Sequence, residues 1–252
     1  MRQKIIKKTK EYTITKHTYK DMPFCNFVQV TTDMLSFSIN LSCIAFQVIK
    51  DKETMNQVDL QKIPDKDISD YMISLLPSYK NKFKEGIEQD SPMIATIYHD
   101  KKDGVCQFYK IWENNFDNKL FSDKAMYKYA KLLYHRLDDV YAYEVLEAPL
   151  SYYRNRNKDE ISLQIRNELK DKIKDDKIKV YRGFNQKSRK DGISYTTDIE
   201  VAKFFANRFQ SMYRELGYVN EYEVHIDDII AFIDEGESEI VTDKAVLIKV
   251  MI

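Results

Sequence analysis

The segment Ile178-Lys-Val-Tyr-Arg-Gly183 decides the fold of the C-terminal part of this chain. Its apolar and polar side chains alternate, which is the period of a strand, and it ends at a glycine. A second segment, Gly192-Ile-Ser-Tyr-Thr196, predicts another short strand. The helix-capping spacing Thr197-Asp-Ile-Glu200 follows directly. The helix that begins there carries an apolar stripe, and Gly217 predicts its end.

Further elements surround these segments. Helices are predicted over about 122–137, with Ser122 as the cap, and over about 159–173, while Pro149 is expected to end the first helical region. Strands are predicted at 218–226, 229–233 and 245–252. We therefore expect an α+β fold in which helices precede a mixed β core of short strands.

The N-terminal part has a different pattern. The first ten residues contain Lys and Arg but no acid, which predicts a solvated, frayed terminus. Residues 12–49 are rich in β-branched and aromatic residues and predict strands, and residues 67–83 have helical spacing. We expect a smaller α/β region here. The pattern changes near residue 118, so the predicted domains are residues 1–118 and 119–252.

Two apolar segments, 93–98 and 105–112, lie on either side of a polar stretch that contains Gly104. Short apolar segments joined by a turn with glycine are typical of a β-hairpin. The sequence therefore predicts a hairpin at the end of the N-terminal region.

The composition limits the kinds of partner. The chain has 252 residues with 40 Lys and Arg and 40 Asp and Glu, so no global charge draws it to nucleic acid or lipid. The three cysteines share no short spacing, which argues against a zinc site or a disulfide framework. No apolar run suits a signal or a membrane span. We expect a soluble, cytoplasmic protein without a membrane partner or a metal.

Three motifs occur in a fixed order: Val180-Tyr-Arg-Gly183, then Gly192-Ile-Ser-Tyr-Thr196, then Glu235-Gly-Glu-Ser-Glu239. This succession resembles the three signatures of mono-ADP-ribosyltransferases of the Arg-Ser-Glu type, among them bacterial and phage toxins. The resemblance covers roughly residues 120–252 and leaves the first 118 residues unexplained. It implies a split, mixed β core of ADP-ribosyltransferase type. It also implies that the protein cleaves NAD+ and transfers ADP-ribose to an intracellular macromolecule, in a toxin or phage–host conflict role.

The resemblance also implies roles for single residues. Glu239 would stabilise the cationic ribose, Ser194 would orient Glu239, and Glu237 would act on the acceptor, which favours protein arginine. A slip of one residue, with Thr196 or Thr197 in the place of Ser194, stays open. The residues expected to bind NAD+ are Arg182, Gly183, Thr196, Tyr181 and Phe205.

Other functions remain open on the sequence. The acceptor could be an RNA or DNA base, since Arg154, Arg156 and the basic segment Lys187-Ser-Arg-Lys190 lie near the motifs. The chain could instead hydrolyse NAD+ without transfer, or serve as a binding module without catalysis. The resemblance also admits an antitoxin or a regulatory protein as a partner.

Overall fold

The computed structural model describes residues 2–18, 26–33, 35–49, 63–96, 101–136, 140–185, 192–208, 217–234 and 236–251. These residues form helices and antiparallel sheets, so the predicted α+β class is confirmed. Contacts divide the chain into two units, Met1–Leu146 and Glu147–Ile252. Helix α5 (Asp123–Arg136), which the sequence assigns to the second region, packs against helices of the first unit.

The first unit begins with an antiparallel sheet whose described strands lie in chain order. These strands are β1 (Arg2–Lys8), β2 (Thr13–Thr18), β3 (Phe27–Thr31) and β4 (Ser36–Asn40). One face is apolar, because Ile14, Val30 and Phe37 lie opposite one another in register and are all buried. The Phe37 ring stacks on Tyr79 at a centroid distance of 3.8 Å, which joins this face to a helix.

Helices complete the first unit. They are α1 (Leu41–Val48), α2 (Asp65–Glu88), α3 (Pro92–Ala95), α4 (Lys101–Asn118) and α5. The helix predicted over residues 67–83 is confirmed as the central part of α2. The predicted cap of α5 is also confirmed, because the Ser122 hydroxyl accepts a hydrogen bond from the Ala125 amide at 3.1 Å.

Two predictions for the first fifty residues were wrong. The basic N-terminus is mostly exposed, as predicted, but it is not frayed, because it forms strand β1, which pairs with β2 from Arg2 opposite Thr18 to Lys8 opposite Thr13. The strand region also ends early, because the Asn40 side chain accepts from the Ser42 amide and begins α1. Pairing with a neighbouring strand decided the first segment, and such pairing does not show in residue propensities. The cap at Asn40 decided the second segment.

The predicted hairpin at 93–112 was wrong as well. Within the described residues the second segment belongs to α4 and the first contains the one-turn helix α3, while residues 97–100 lie outside them. Among the α4 residues whose burial is described, the buried ones are Gln107, Phe108, Ile111 and Asn115, a helical spacing that includes two polar side chains. Because Gln107 and Asn115 are polar, the helical period of the buried face does not show in the apolar residues alone.

Helix α6 (Val140–Arg156) continues through Pro149, so the prediction that this proline ends the region was also wrong. A proline removes one hydrogen bond of the helix, but packing of the flanking turns can hold the helix together. Leu146, Leu150 and Tyr153 supply this packing because all three are buried. Helix α7 (Lys158–Glu168) begins where the sequence predicts but ends before the predicted residue 173, because Ile173 begins a strand.

The second unit contains a sheet of short strands. They are β5 (Ile173–Lys174), β6 (Lys177–Phe184), β7 (Ser194–Thr196), β8 (Tyr218–His225), β9 (Ala231–Ile233), β10 (Glu239–Val241) and β11 (Val246–Met251). Their order is β11-β8-β6-β7-β10-β9, with β5 beside the start of β6. Every described pair is antiparallel, which corrects the expected mixed sheet. The strands therefore need no parallel crossover connections.

Strands β6 and β7 meet at a single described pair, Tyr181 opposite Thr196. Beyond this pair, Arg182 and Gly183 pair with Asn220 and Val219 of β8. The sheet thus consists of one half with β11, β8 and β6 and another with β7, β10 and β9, joined at one point.

Helix α8 (Ile199–Asn207) lies directly on β6. A Cβ atom at Gly183 would lie 1.8 Å from the Ala202 carbonyl oxygen, so only glycine allows this approach. The cap of α8 is Asp198, which accepts from the Glu200 amide at 2.8 Å, one residue after the predicted Thr197. The sequence predicts that this helix ends at Gly217; residues 209–216, which precede Gly217, lie outside the described residues. No helix in the described ranges combines the length and the apolar character that a bilayer crossing needs.

Candidate functional site

Glu239 is the first residue of β10 and lies between two other strands. It pairs with Thr196 of β7 on one side and with Ile233 of β9 on the other. Only 7% of its surface is exposed. A carboxylate that is buried in a three-residue strand costs free energy, which makes Glu239 an unusual choice for a purely structural position.

Ser194 holds the Glu239 side chain. Its hydroxyl donates a hydrogen bond to Oε1 of Glu239 from the neighbouring strand. In the register of β7 and β10, Ser194 is opposite Val241, two residues after Glu239, so the two side chains are diagonal neighbours on one face. The alternation of the two strands therefore fixes this contact.

Arg182 reaches across the point where the sheet halves meet. Its Nη1 donates to the Ser194 carbonyl oxygen at 2.5 Å, and its guanidinium carbon lies 5.8 Å from the centroid of the Tyr195 ring. Gly192 lies against the guanidinium as well, since a Cβ atom there would be 2.1 Å from Nη2 of Arg182. A ring, a carbonyl and a glycine backbone thus fix the guanidinium beside the Ser194–Glu239 pair.

Burial raises the pKa of Glu239 from its ordinary value to about 7. The hydrogen bond from Ser194 opposes this rise, the negative charge of Glu237 adds to it, and the positive charge of Arg182 opposes it. The carboxyl group therefore changes its charge near neutral pH. A cationic group that enters the site would be attracted to the ionised form.

The turn before β10 has a tight backbone. Gly236 has φ of +91° and Ser238 has φ of +44°, both in the left-handed region. The Thr196 hydroxyl donates to the Glu237 carbonyl at 2.6 Å, and the Thr197 amide donates to the Ser238 carbonyl at 3.1 Å. Thr196, the last residue of β7, and Thr197, the next residue, thus bind two adjacent carbonyl groups of the turn.

The structure brings together most of the residues that the sequence singles out. Glu239, Ser194, Arg182 and Thr196 are linked by the contacts above, and Glu237 joins them through its backbone. Gly183 packs against α8 on β6, the strand that also carries Arg182. Of the hydroxyl groups that the sequence leaves open, that of Ser194 donates the hydrogen bond to Glu239, although the register of β7 with β10 places Thr196 directly opposite Glu239.

Two of the residues expected to bind NAD+, Tyr181 and Phe205, have described contacts with residues other than Glu239, Ser194 and Arg182. Tyr181 packs against the apolar cluster formed by Ala202, Ala206 and Val219 beneath α8. Phe205 on α8 lies edge-on to Phe204, at a centroid distance of 5.6 Å, and beneath the Arg208 guanidinium. The described contacts of Tyr181 therefore belong to the packing of α8 on the sheet. Those of Phe205 are with other side chains of α8 and with Arg208, which follows it.

Two residues that contact the site residues, Tyr195 and Lys172, were not predicted from the sequence. Tyr195 stacks beneath Arg182 and contacts the Tyr222 ring edge-on at 5.0 Å, and Lys172 donates to the Thr197 hydroxyl at 2.6 Å. The bulky residue between Ser194 and Thr196 was a usable signal for Tyr195. Nothing in the sequence pointed to Lys172, whose place depends on the tertiary fold.

The basic residues proposed for nucleic-acid contact differ in their surroundings. Arg154 is 4% exposed and donates hydrogen bonds to the Ile229 carbonyl and to the Ser162 hydroxyl. Its described contacts are therefore inside the second unit. Arg156 lies over the Tyr152 ring at 5.6 Å. The segment 187–190 lies outside the described residues.

The described ranges contain no group of three or more His, Cys, Asp or Glu side chains suited to a metal ion. Comparison of the chain with protein-family models, with curated proteins and with solved structures finds no match. The geometry of this site and the motifs are therefore the observations from which a function is inferred.

Proposed function

We propose that this chain is an NAD+-dependent mono-ADP-ribosyltransferase of the toxin-like Arg-Ser-Glu type, with protein arginine as the favoured acceptor. One observation carries the proposal: the buried Glu239 carboxylate is held by Ser194 and lies in the field of Arg182. An enzyme that stabilises a cationic sugar needs a carboxylate whose position is fixed before the charge develops.

In the proposed reaction, the bond between the ribose C1′ and the nicotinamide nitrogen breaks, and its electron pair leaves with neutral nicotinamide. The ionised Glu239 would accept a hydrogen bond from a ribose hydroxyl and stabilise the positive charge on the sugar. A lone pair of the acceptor then forms the new bond to C1′, and the acceptor gives up a proton. Glu237, half-buried in the turn two residues before Glu239, is suited to take that proton.

Arg182 would supply positive charge to the phosphates or the ribose of the dinucleotide. A guanidinium that is fixed in its plane recognises oxyanions better than a mobile ammonium group. The contacts with Gly192, Tyr195 and the Ser194 carbonyl fix that plane. Loss of its charge should therefore weaken dinucleotide binding more than the chemical step.

Release of nicotinamide from NAD+ by the purified chain tests the proposal. We expect release by the wild type and a loss of about a hundredfold or more in Glu239→Gln. Glu223→Gln is the matched control, because Glu223 pairs with Lys177 at 2.6 Å on the surface of the same sheet. Equal turnover in wild type and Glu239→Gln, or none in the wild type, would contradict the proposal.

The acceptor class is tested with labelled NAD+ and separate pools of protein and RNA. Label that enters protein supports the favoured acceptor, and label that enters RNA supports a nucleobase. Free ADP-ribose without a modified acceptor would identify a glycohydrolase.

A further inference from the structure

We infer that Thr196 is a positioning residue that fixes the acceptor side of the site by holding the Glu237 turn against the start of α8. The inference rests on the proposed function, since it assigns Glu237 to the acceptor. It gives Thr196 a role different from the NAD+ contact that the sequence resemblance implies.

The hydrogen bonds of the Thr196 side chain carry the inference. Its hydroxyl donates its one proton to the Glu237 carbonyl at 2.6 Å, and it accepts from the Asp198 amide at 3.0 Å. A hydroxyl has a single proton to donate, so this side chain has none left for a bound dinucleotide. Asp198 in turn caps α8 through the Glu200 amide, so one side chain joins the turn to the helix cap.

Glu239 does not depend on this side chain in the same way. Its position is fixed by backbone pairing with Thr196 and Ile233 and by the Ser194 hydroxyl. Glu237 instead lies in a turn with left-handed backbone at Gly236 and Ser238. Removal of the Thr196 hydroxyl should therefore shift Glu237 more than Glu239, and a misplaced catalytic group can lower a rate by one to two orders of magnitude.

The chain provides a matched control at the other end of β10. The Thr242 hydroxyl donates to the Asp228 carbonyl at 2.9 Å and accepts from the Lys244 amide at 3.1 Å, which is the same pattern as at Thr196. Thr242 is fully buried, so its loss should cost stability without moving the Glu237 turn.

The experiment measures the partition of ADP-ribose between water and agmatine, a small guanidine that stands in for protein arginine. We expect Thr196→Val to lower the ratio of transfer to hydrolysis about tenfold, Thr196→Ser to restore it, and Thr242→Val to leave it at the wild-type value. If Thr196→Val does not fold, Thr196→Ala is used in its place.

An unchanged ratio in the folded Thr196 variant, or an equal fall in Thr242→Val, would overturn the inference. A wild type that cleaves NAD+ but transfers nothing to agmatine would also overturn it, and the proposed cleavage would still stand. A wild type that does not cleave NAD+ would overturn the proposed function itself.

Discussion

The Ser194 hydroxyl donates a hydrogen bond to Glu239 from a strand that lies 45 residues earlier in the chain. This bond favours the ionised carboxylate, yet burial outweighs it, and the pKa of Glu239 stays near 7. The burial of the ionised Glu239 side chain therefore costs free energy of folding. Such a cost is typical of functional sites, and it leads to measurable consequences.

The first consequence concerns the pH dependence of NAD+ cleavage. If the ionised Glu239 stabilises the cationic ribose, kcat/KM should rise with pH through an inflection near pH 7 and level off above it, because the pKa of Glu239 is about 7. A pH series of nicotinamide release measures this inflection. A profile that is flat between pH 5 and 9 would exclude Glu239 as the group that controls the rate.

Two substitutions should move this inflection in opposite directions. Glu237→Gln removes a neighbouring negative charge that raises the pKa of Glu239, so the inflection should fall. Ser194→Ala removes a hydrogen bond that lowers the same pKa, so the inflection should rise. The same pH series on both variants checks the pair, and shifts in a common direction would show that the electrostatic account is wrong.

Stability should depend on the same carboxyl group. The pKa of Glu239 is about 7 in the folded chain and 4.5 ordinarily, so the folded state binds the proton more tightly. This contribution to stability is complete below pH 4.5 and is lost as pH rises through 7, with a total near 3 kcal/mol. Thermal unfolding at pH 5 and pH 8 measures it.

In Glu239→Gln this pH-dependent loss should disappear, because an amide carries no charge. The variant should therefore unfold several degrees above the wild type at pH 8. In the Glu223→Gln control, stability should depend on pH as it does in the wild type. A Glu239→Gln variant that is less stable than the wild type at pH 8 would contradict the assigned burial cost.

Gly192 should control dinucleotide binding through Arg182. In Gly192→Ala the new Cβ would lie 2.1 Å from Nη2 of Arg182, and the end of this flexible side chain must move. We expect the KM for NAD+ to rise about tenfold with a small change in stability. Gly86→Ala, which overlaps the Ala95 backbone in the first unit, is the control that should lower stability and leave this KM unchanged.

Gly183 should control the packing of α8. The Cβ of Gly183→Ala would overlap the Ala202 carbonyl, and two backbones cannot separate by a change of rotamer. The free energy of unfolding should fall by about 1–3 kcal/mol in denaturant titration. Gly217→Ala would meet the Ala206 carbonyl at 2.2 Å and should behave in the same way. Wild-type stability in both variants would refute this account of the helix contact.

The sequence was most informative where a motif and a strand period coincided. The strands around Arg182 and Ser194 were predicted because short alternating segments ended at glycines or polar residues, whereas the strand that begins at Glu239 was not predicted. Their contacts follow from the register: once β7 pairs with β10, Ser194 must lie diagonal to Glu239. This register could not be read from residue types.

The failures have physical causes as well. Residues 105–112 were interpreted as a strand because a polar stretch with a glycine separates them from another apolar segment. The buried face of α4 includes Gln107 and Asn115, whose polar side chains interrupt the apolar period of the helix. Asn115 both donates to the Phe121 carbonyl and accepts from the Phe121 amide. It therefore fixes the connection to α5. A polar residue that is satisfied by the tertiary structure gives no signal in hydropathy.

The bonds that hold the turn at Glu237 could not be predicted either. They join Thr196 and Thr197 to carbonyls about forty residues later, and the turn depends on left-handed backbone at Ser238 as well as at a glycine. Glycine is the usual signal for such backbone, and serine is not.

Nicotinamide release by wild type and by Glu239→Gln, with Glu223→Gln beside them, tests the central claim most directly. We predict turnover in the wild type and in Glu223→Gln, and turnover lower by about a hundredfold or more in a folded Glu239→Gln. Equal turnover in Glu239→Gln and wild type would contradict the claim.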